Sequence, residues 1–226
     1  MKKGILYGVS VGPGDGELLT LKALRVIEKC PVVAAPRTTG GDMVALDIIR
    51  GVANLEGKEI LPLDFSMAHG EGERRAAHEA AAQSLREVLD GGRSVAMLNL
   101  GDVSLYASFQ YIADLLGGEH PAEMVPGVPS FCAAAARLGI SLTEMDKPLH
   151  LLPGRVSHAA AELPGTKIYM KSGRQLGRLL DELEAGGLLD VAMLVQNCGM
   201  EGERVFYGAD AKAAPEDYFS IIIVKE

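Results

Sequence analysis

Residues 8–16 read GVSVGPGDG and offer two chemistries in one loop. Gly8-Val9-Ser10-Val11-Gly12 has the G-x-S-x-G spacing that makes a serine nucleophilic at a sharp strand-to-helix turn. Gly12, Gly14 and Gly16 would equally let backbone amides close on a phosphate. Neither chemistry has its supporting residues. An elbow needs an oxyanion loop from an earlier strand and a late histidine, yet only seven residues precede Gly8, Pro13 disfavours an immediate helix, and no histidine follows His158. A dinucleotide loop spaces its glycines G-x-G-x-x-G; here the spacing is G-x-G-x-G, Pro13 removes a donor, and Asp15 puts negative charge where a pyrophosphate would sit. Sterically, the glycines permit a tight turn with Asp15 or Thr20 capping the helix that follows.

The other chemistry-bearing side chains are dispersed. There is no HExxH, no His/Cys cluster at ligand spacing and no characteristic carboxylate pair, so no metal site and no general base is expected. His69, His78, His120, His150 and His158 are scattered and read mostly as surface residues, His69 alone lying near a site-like segment. Cys30, Cys132 and Cys198 are odd in number and far apart, which encodes neither a disulfide framework nor a zinc ribbon; they read as reduced core or near-site thiols.

The elements that must position these residues alternate regularly. Strands are expected at 5–11, 32–35, 58–63 and 94–100, with helices at 17–29, 43–52, 73–89 and 104–116 between and after them. Short βα connections imply a mainly parallel sheet with helices on both faces, whose ligands collect at the strands' carboxyl ends. Gly117, Gly118 and Pro121 break the pattern, so we expect domains at 1–117 and 121–226. In the second half, strands are expected at 123–125, 149–152, 166–170, 191–196, 204–207 and 218–224, with helices at 130–138 and 174–184. The last strands leave no room for a crossover helix, so this sheet should be mixed. The fold class is thus α/β, two domains, with a ligand cleft expected between them.

Bulk properties narrow the function. The 226 residues are 48% apolar, and 22 Lys and Arg against 30 Asp and Glu give a net charge of -8. Without a basic block, nucleic acid is an unsuitable partner and a small molecule a better one. The amino-terminal apolar run is too short for a signal peptide, and no segment approaches the ~20 apolar residues of a membrane span, so a cytoplasmic protein is expected.

Four blocks carry a resemblance. SVGPGDGELLTLKA from Ser10, LGDVSLY from Leu100, VPGVPS from Val125 and YFSII from Tyr218 resemble the tetrapyrrole (corrin/porphyrin) methylase family, with Val103 where the family usually has proline. LGDVSLYASF, Phe65-Ser66-Met67, SFCAAAARLGISLTE and YMKSGR look most like its branch that methylates carbon 20 of precorrin-2 or cobalt-factor II. The resemblance implies S-adenosylmethionine as methyl donor, S-adenosylhomocysteine as product, a tetrapyrrole substrate and a homodimer. It places the donor on Leu100, Gly101, Asp102, Leu105, Tyr106, Ser130, Phe131, Met170, Asn197, Cys198 and Ser220. The substrate falls to Gly12, Pro13, Gly14, Asp15, Arg37 and Lys171.

Each position keeps a plainer reading beside that one. Asp102 and Ser130 would serve as helix caps, Met170 as core, Asn197 and Cys198 as a turn, and Arg37, Lys171 and Arg174 as surface charge. Two other functions stay open: methylation at another ring carbon, and a binding-only α/β protein that holds a nucleotide-like ligand.

Overall fold

The computed structural model describes residues 3–65, 70–154 and 162–225. The chain divides into two compact units, Met1–Pro129 and Ser130–Glu226. In the first, strands β1 (Leu6–Ser10), β2 (Val32–Arg37), β3 (Glu59–Asp64), β4 (Val95–Asn99) and β5 (Ala122–Val125) alternate with helices α1 (Leu21–Lys29), α2 (Val44–Arg50), α3 (Glu71–Asp90) and α4 (Phe109–Leu115). The strands lie in the order β3-β2-β4-β1-β5, and every pairing among them is parallel.

Apolar runs without alternation make the inner strands β1, β2 and β4 buried on both faces. Ala23 and Ile27 of α1 and Leu46 and Ile49 of α2 pack with Val9, Val33, Ala96 and Leu98 on one side. On the other, Leu85 and Leu89 of α3 and Phe109 and Ile112 of α4 pack with Leu6, Val32, Val95 and Met97. Fully burying one such Leu or Ile contributes roughly 1.5–3 kcal/mol. The chain leaves β1 toward β2 and leaves β4 toward β5, in opposite directions across the sheet. The carboxyl ends of the adjacent β1 and β4 are therefore its topological switch point, where open α/β sheets place ligands.

Three sequence expectations change here. The expected break at 117–121 falls before β5, yet β5 pairs with β1 from Leu6↔Ala122 to Val9↔Val125 and belongs to the first sheet. The helix expected from residue 17 begins at Leu21, because Asp15 caps a separate 3-10 turn at Gly16–Leu18 and Thr20 then caps α1, accepting from the Ala23 amide at 3.1 Å. The helix expected from 104 begins at Phe109, after a loop held by Asp102.

The second unit contains α5 (Ser130–Leu138), β6 (Leu149–Pro153), β7 (Thr166–Met170), α6 (Leu176–Ala185), β8 (Ala192–Gln196), β9 (Arg204–Tyr207) and β10 (Ser220–Val224). The sheet order is β6-β7-β10-β8-β9, with β6 and β7 parallel and the other pairings antiparallel. This is the expected mixed sheet. Leu176, Leu179, Leu180 and Leu183 recur at helical spacing on α6 and bury against Tyr169, Leu194 and Ile222. Among the described residues, no helix is long and apolar enough to cross a membrane.

Candidate functional site

Three loops meet at the switch point of the first sheet. Gly12 and Gly101 form an isolated antiparallel bridge, the Gly101 amide donating to the Gly12 carbonyl at 2.7 Å. Both residues are left-handed, at φ 78° and 70°, a conformation glycine adopts without strain. Ser10 is buried, and its hydroxyl accepts from the Val103 amide at 2.8 Å. The third loop, Pro126–Pro129, approaches so closely that a Cβ on Gly127 would lie 2.4 Å from the Ser10 Cβ.

Asp102 joins the second and third loops. One carboxylate oxygen accepts from the Gly127 amide at 2.8 Å, and the other from the amide and hydroxyl of Ser104. Burial pushes its pKa up, but the Ser104 hydroxyl and the Gly127 and Ser104 amides outweigh that and hold it below the usual value. The capping role considered for Asp102 is therefore replaced by a clamp, since α4 starts seven residues later. Ser10 is a hydrogen-bond acceptor in the same clamp and has no base beside it that would make it a nucleophile among the described residues. In the neighbouring glycine loop Gly12 and Pro13 are buried, Gly14 is half-buried and Asp15 is exposed, accepting from the Glu17 amide at 2.8 Å. Leu100 and Leu105 are half-buried, and Tyr106 is exposed at a left-handed φ of 54°.

In the second unit, antiparallel pairing sets the start of β10 beside the ends of β7 and β8: Ile221 opposes Met170, and Ser220 opposes Gln196. The named residues Met170, Asn197, Cys198 and Ser220 thus converge on one edge. Asn197 is left-handed at φ 52°; its amide donates to the Phe219 carbonyl at 3.0 Å and its carboxamide to Asp217 at 2.8 Å. The buried Ser220 hydroxyl donates to the Asp217 carbonyl at 2.7 Å and accepts from Gln196 at 2.9 Å. Cys198 is buried, its thiol pushed up to about 11 by desolvation and by the nearby Glu203 carboxylate. Ser130 opens α5 and is half-buried, and Phe131 behind it is buried. Lys171 follows Met170 at a left-handed φ of 57°, with desolvation lowering its pKa.

Gln196 was not singled out from the sequence. It is wholly buried, its carboxamide nitrogen holds Ser220 and the Pro215 carbonyl, and its oxygen accepts nothing from the described residues. A glutamine ending the apolar run Val191–Val195 was the available signal.

Arg37 ends β2 in an exposed bidentate pair with Asp64 at the end of β3, at 2.6 and 2.8 Å. The histidines are less superficial than expected: His120 is buried beside Asp90, and His78 lies stacked on Tyr111, while His69 and His158, like Ser66 and Met67, lie outside the described residues. Cys30 and Cys198 are buried and Cys132 is exposed. Among the described residues no group of three or more His, Cys, Asp or Glu could hold a metal ion.

Left-handed backbone and clamped turns at strand ends, with no paired acid and base at those turns among the described residues, suit binding and alignment of a ligand. The family model for Tetrapyrrole (Corrin/Porphyrin) Methylases matches residues 5–212. The chain belongs to that family. This tetrapyrrole methylase is 29% identical over 230 residues to the cobalt-precorrin-2 C(20)-methyltransferase of Salmonella typhimurium, covering 99% of this chain and 97% of that protein. It is 32% identical over 238 residues to the cobalamin biosynthesis protein CobIJ of Mycobacterium tuberculosis; the match covers 98% of this chain but only 46% of that relative, so the methylase spans about half its length. Its fold is that of the uroporphyrin-III C-methyltransferase of Thermus thermophilus solved with S-adenyl homocysteine, with a TM-score of 0.71 at 22% identity, covering 99% and 98% of the two chains.

Proposed function

We propose that the protein transfers a methyl group from S-adenosylmethionine to carbon 20 of precorrin-2 or of its cobalt-containing counterpart, cobalt-factor II, in cobalamin biosynthesis. The observation that carries this reading is full-length similarity to a C(20)-methyltransferase within a family match that includes all but the last of the four motif blocks. In the first unit the donor would meet Leu100, Gly101, Asp102, Leu105 and Tyr106; in the second, Ser130, Phe131, Met170, Asn197, Cys198 and Ser220. What supports a ligand there is that Gly101 and Asn197 make left-handed turns at strand ends and that the exposed Tyr106 offers a ring. Gly12, Pro13, Gly14 and Asp15 would border the macrocycle, and Arg37 and Lys171 would meet its carboxylates.

The donor's sulfonium supplies an electrophilic methyl group that needs no activation by the protein. Carbon 20 gives the electron pair that forms the new C–C bond, the S–CH3 bond breaks to leave S-adenosylhomocysteine, and any proton released from the ring goes to solvent. What the chain's own residues supply is alignment, and holding two reactants in line is worth ~7–11 kcal/mol of barrier. Asp102 fits that task because its carboxylate is spent on fixing two loops and not on the proton transfer.

We infer that the enzyme is a homodimer, as the family resemblance implies, and that it works in the cytoplasm. Light scattering should then return twice the 23.9 kDa chain mass, and a monomer mass would refute it. Methyl transfer from labelled S-adenosylmethionine to metal-free precorrin-2 and to cobalt-factor II, run in parallel, tests the activity and identifies the natural substrate. Transfer to neither would overturn the reading.

A further inference from the structure

A cavity of about 500 Å³ opens at the carboxyl ends of β2 and β3, lined by Arg37, Thr38, Thr39, Gly40, Gly41, Asp64, Phe65 and Ala77. Its polarity is organised around one guanidinium. Asp64 takes the Nε/Nη2 edge of Arg37 through two hydrogen bonds, at 2.6 and 2.8 Å. A guanidinium carries five N–H donors in a rigid plane, so fixing one edge also fixes the direction of the other. Among the described residues nothing else is bonded to that second edge, Nη1 with the remaining Nη2 hydrogen. The carboxylate is the more solvated partner, its side chain 70% exposed against 38% for Arg37, which is the arrangement of a support and not of an occupant.

The turn beside it adds donors. Residues 38–42 close on themselves: the Thr38 amide donates to the Asp42 carbonyl at 2.9 Å, the Gly41 amide to the Thr38 carbonyl at 2.9 Å, and the Asp42 amide to the Thr38 hydroxyl at 3.2 Å. The amides of Thr39 and Gly40, at its tip, have no such partner among the described residues. Phe65 also lines the cavity, held edge-on to His78 at 5.7 Å, whose ring stacks on Tyr111 at 5.2 Å. Burial and the nearby Arg74 lower the His78 pKa, so that ring adds no charge beside the Arg37 guanidinium at pH 7. One anchored cation with a planar donor edge, amide donors next to it and an aromatic wall are the complement of a carboxylate on a short apolar arm.

We propose that this cavity seats one carboxylate arm of the tetrapyrrole, with Arg37 as its anchor and Asp64 as the positioning residue that aims Arg37. The inference rests on the function proposed above and assigns a specificity pocket to it.

Steady-state kinetics with the tetrapyrrole varied at saturating S-adenosylmethionine test it, together with calorimetric binding of S-adenosylhomocysteine. Arg37→Met should raise KM for the tetrapyrrole roughly tenfold to hundredfold, as loss of a charged hydrogen bond does, with kcat near wild type. Arg37→Lys should recover only part of the loss, because an ammonium cannot serve Asp64 and a ligand in one plane. Asp64→Asn, which keeps the cavity's shape and leaves Arg37 in place, should raise KM less than Arg37→Met and leave S-adenosylhomocysteine affinity within about twofold. A folded Arg37→Met enzyme with unchanged KM, or one whose S-adenosylhomocysteine affinity falls as far as its tetrapyrrole affinity, would overturn the pocket and leave the functional reading standing. A wild-type enzyme that methylates neither tetrapyrrole would overturn both.

Discussion

Replacing Asp102 by asparagine should destabilise the first unit although the side chains are nearly the same shape. Three donors converge on the carboxylate: the Gly127 amide at 2.8 Å on one oxygen, the Ser104 amide at 2.8 Å and the Ser104 hydroxyl on the other. Asparagine keeps one acceptor oxygen, so its NH2 must confront either the Gly127 or the Ser104 amide, donor against donor. Hydrogen bonds to a charged partner contribute about 1.5–3 kcal/mol each, and relief of burying the carboxylate returns part of that. A net loss of about 2–3 kcal/mol is expected, or roughly 4–12 °C in melting temperature for a protein of this size. The pH dependence follows from the direction of the Asp102 shift. Its folded pKa lies below the ordinary 3.8, so its stabilisation is complete above that value and is lost as pH falls through the folded pKa. Chemical denaturation of both proteins should therefore show a constant gap from about pH 5 to 8 that narrows only in stronger acid. A gap below about 0.5 kcal/mol at pH 7, the level of an ordinary surface substitution, would refute the clamp.

Ser10→Ala removes the acceptor of the buried Val103 amide and should cost about 1–3 kcal/mol while most methyl transfer survives; a folded variant without activity would reinstate Ser10 as a chemical participant. Burial pushes Cys30 and Cys198 each up to about 11, leaving little thiolate near neutral pH, whereas Cys132, its thiol also raised by desolvation, is exposed to reagent. Peptide mapping after brief iodoacetamide treatment of the native protein should find Cys132 alkylated first, and earlier modification of Cys198 would contradict its placement.

Much of the architecture was legible because periodicity and burial coincide. The alanine-rich run 130–138 and the apolar strand 166–170 form elements with those limits, since each has a single face or pair of faces to bury. The expectation failed where a polar side chain overrides periodicity. Leucines continue through 18, 21 and 24, yet Asp15 and Thr20 each cap a helix of their own, which divides one expected helix into a 3-10 turn and α1. Asp102 likewise captures the Ser104 amide and delays α4, a long-range effect because the same carboxylate also answers Gly127. Strand β5 sits in the first sheet through its pairing with β1, across more than a hundred residues, and the local Gly-Gly and Pro punctuation carries no trace of that. At the candidate site, the loops were readable from their glycines. The ion pair that fixes Arg37 was not, because Asp64 lies 27 residues away and only the β2–β3 register brings them together.

The most direct test of the proposed activity is the position of the transferred methyl. With 13C-methyl-labelled S-adenosylmethionine and either metal-free precorrin-2 or cobalt-factor II, NMR of the product should show a single enriched methyl on carbon 20, formed with one equivalent of S-adenosylhomocysteine. An enriched methyl on any other ring carbon, or no enrichment with either substrate, would contradict the account.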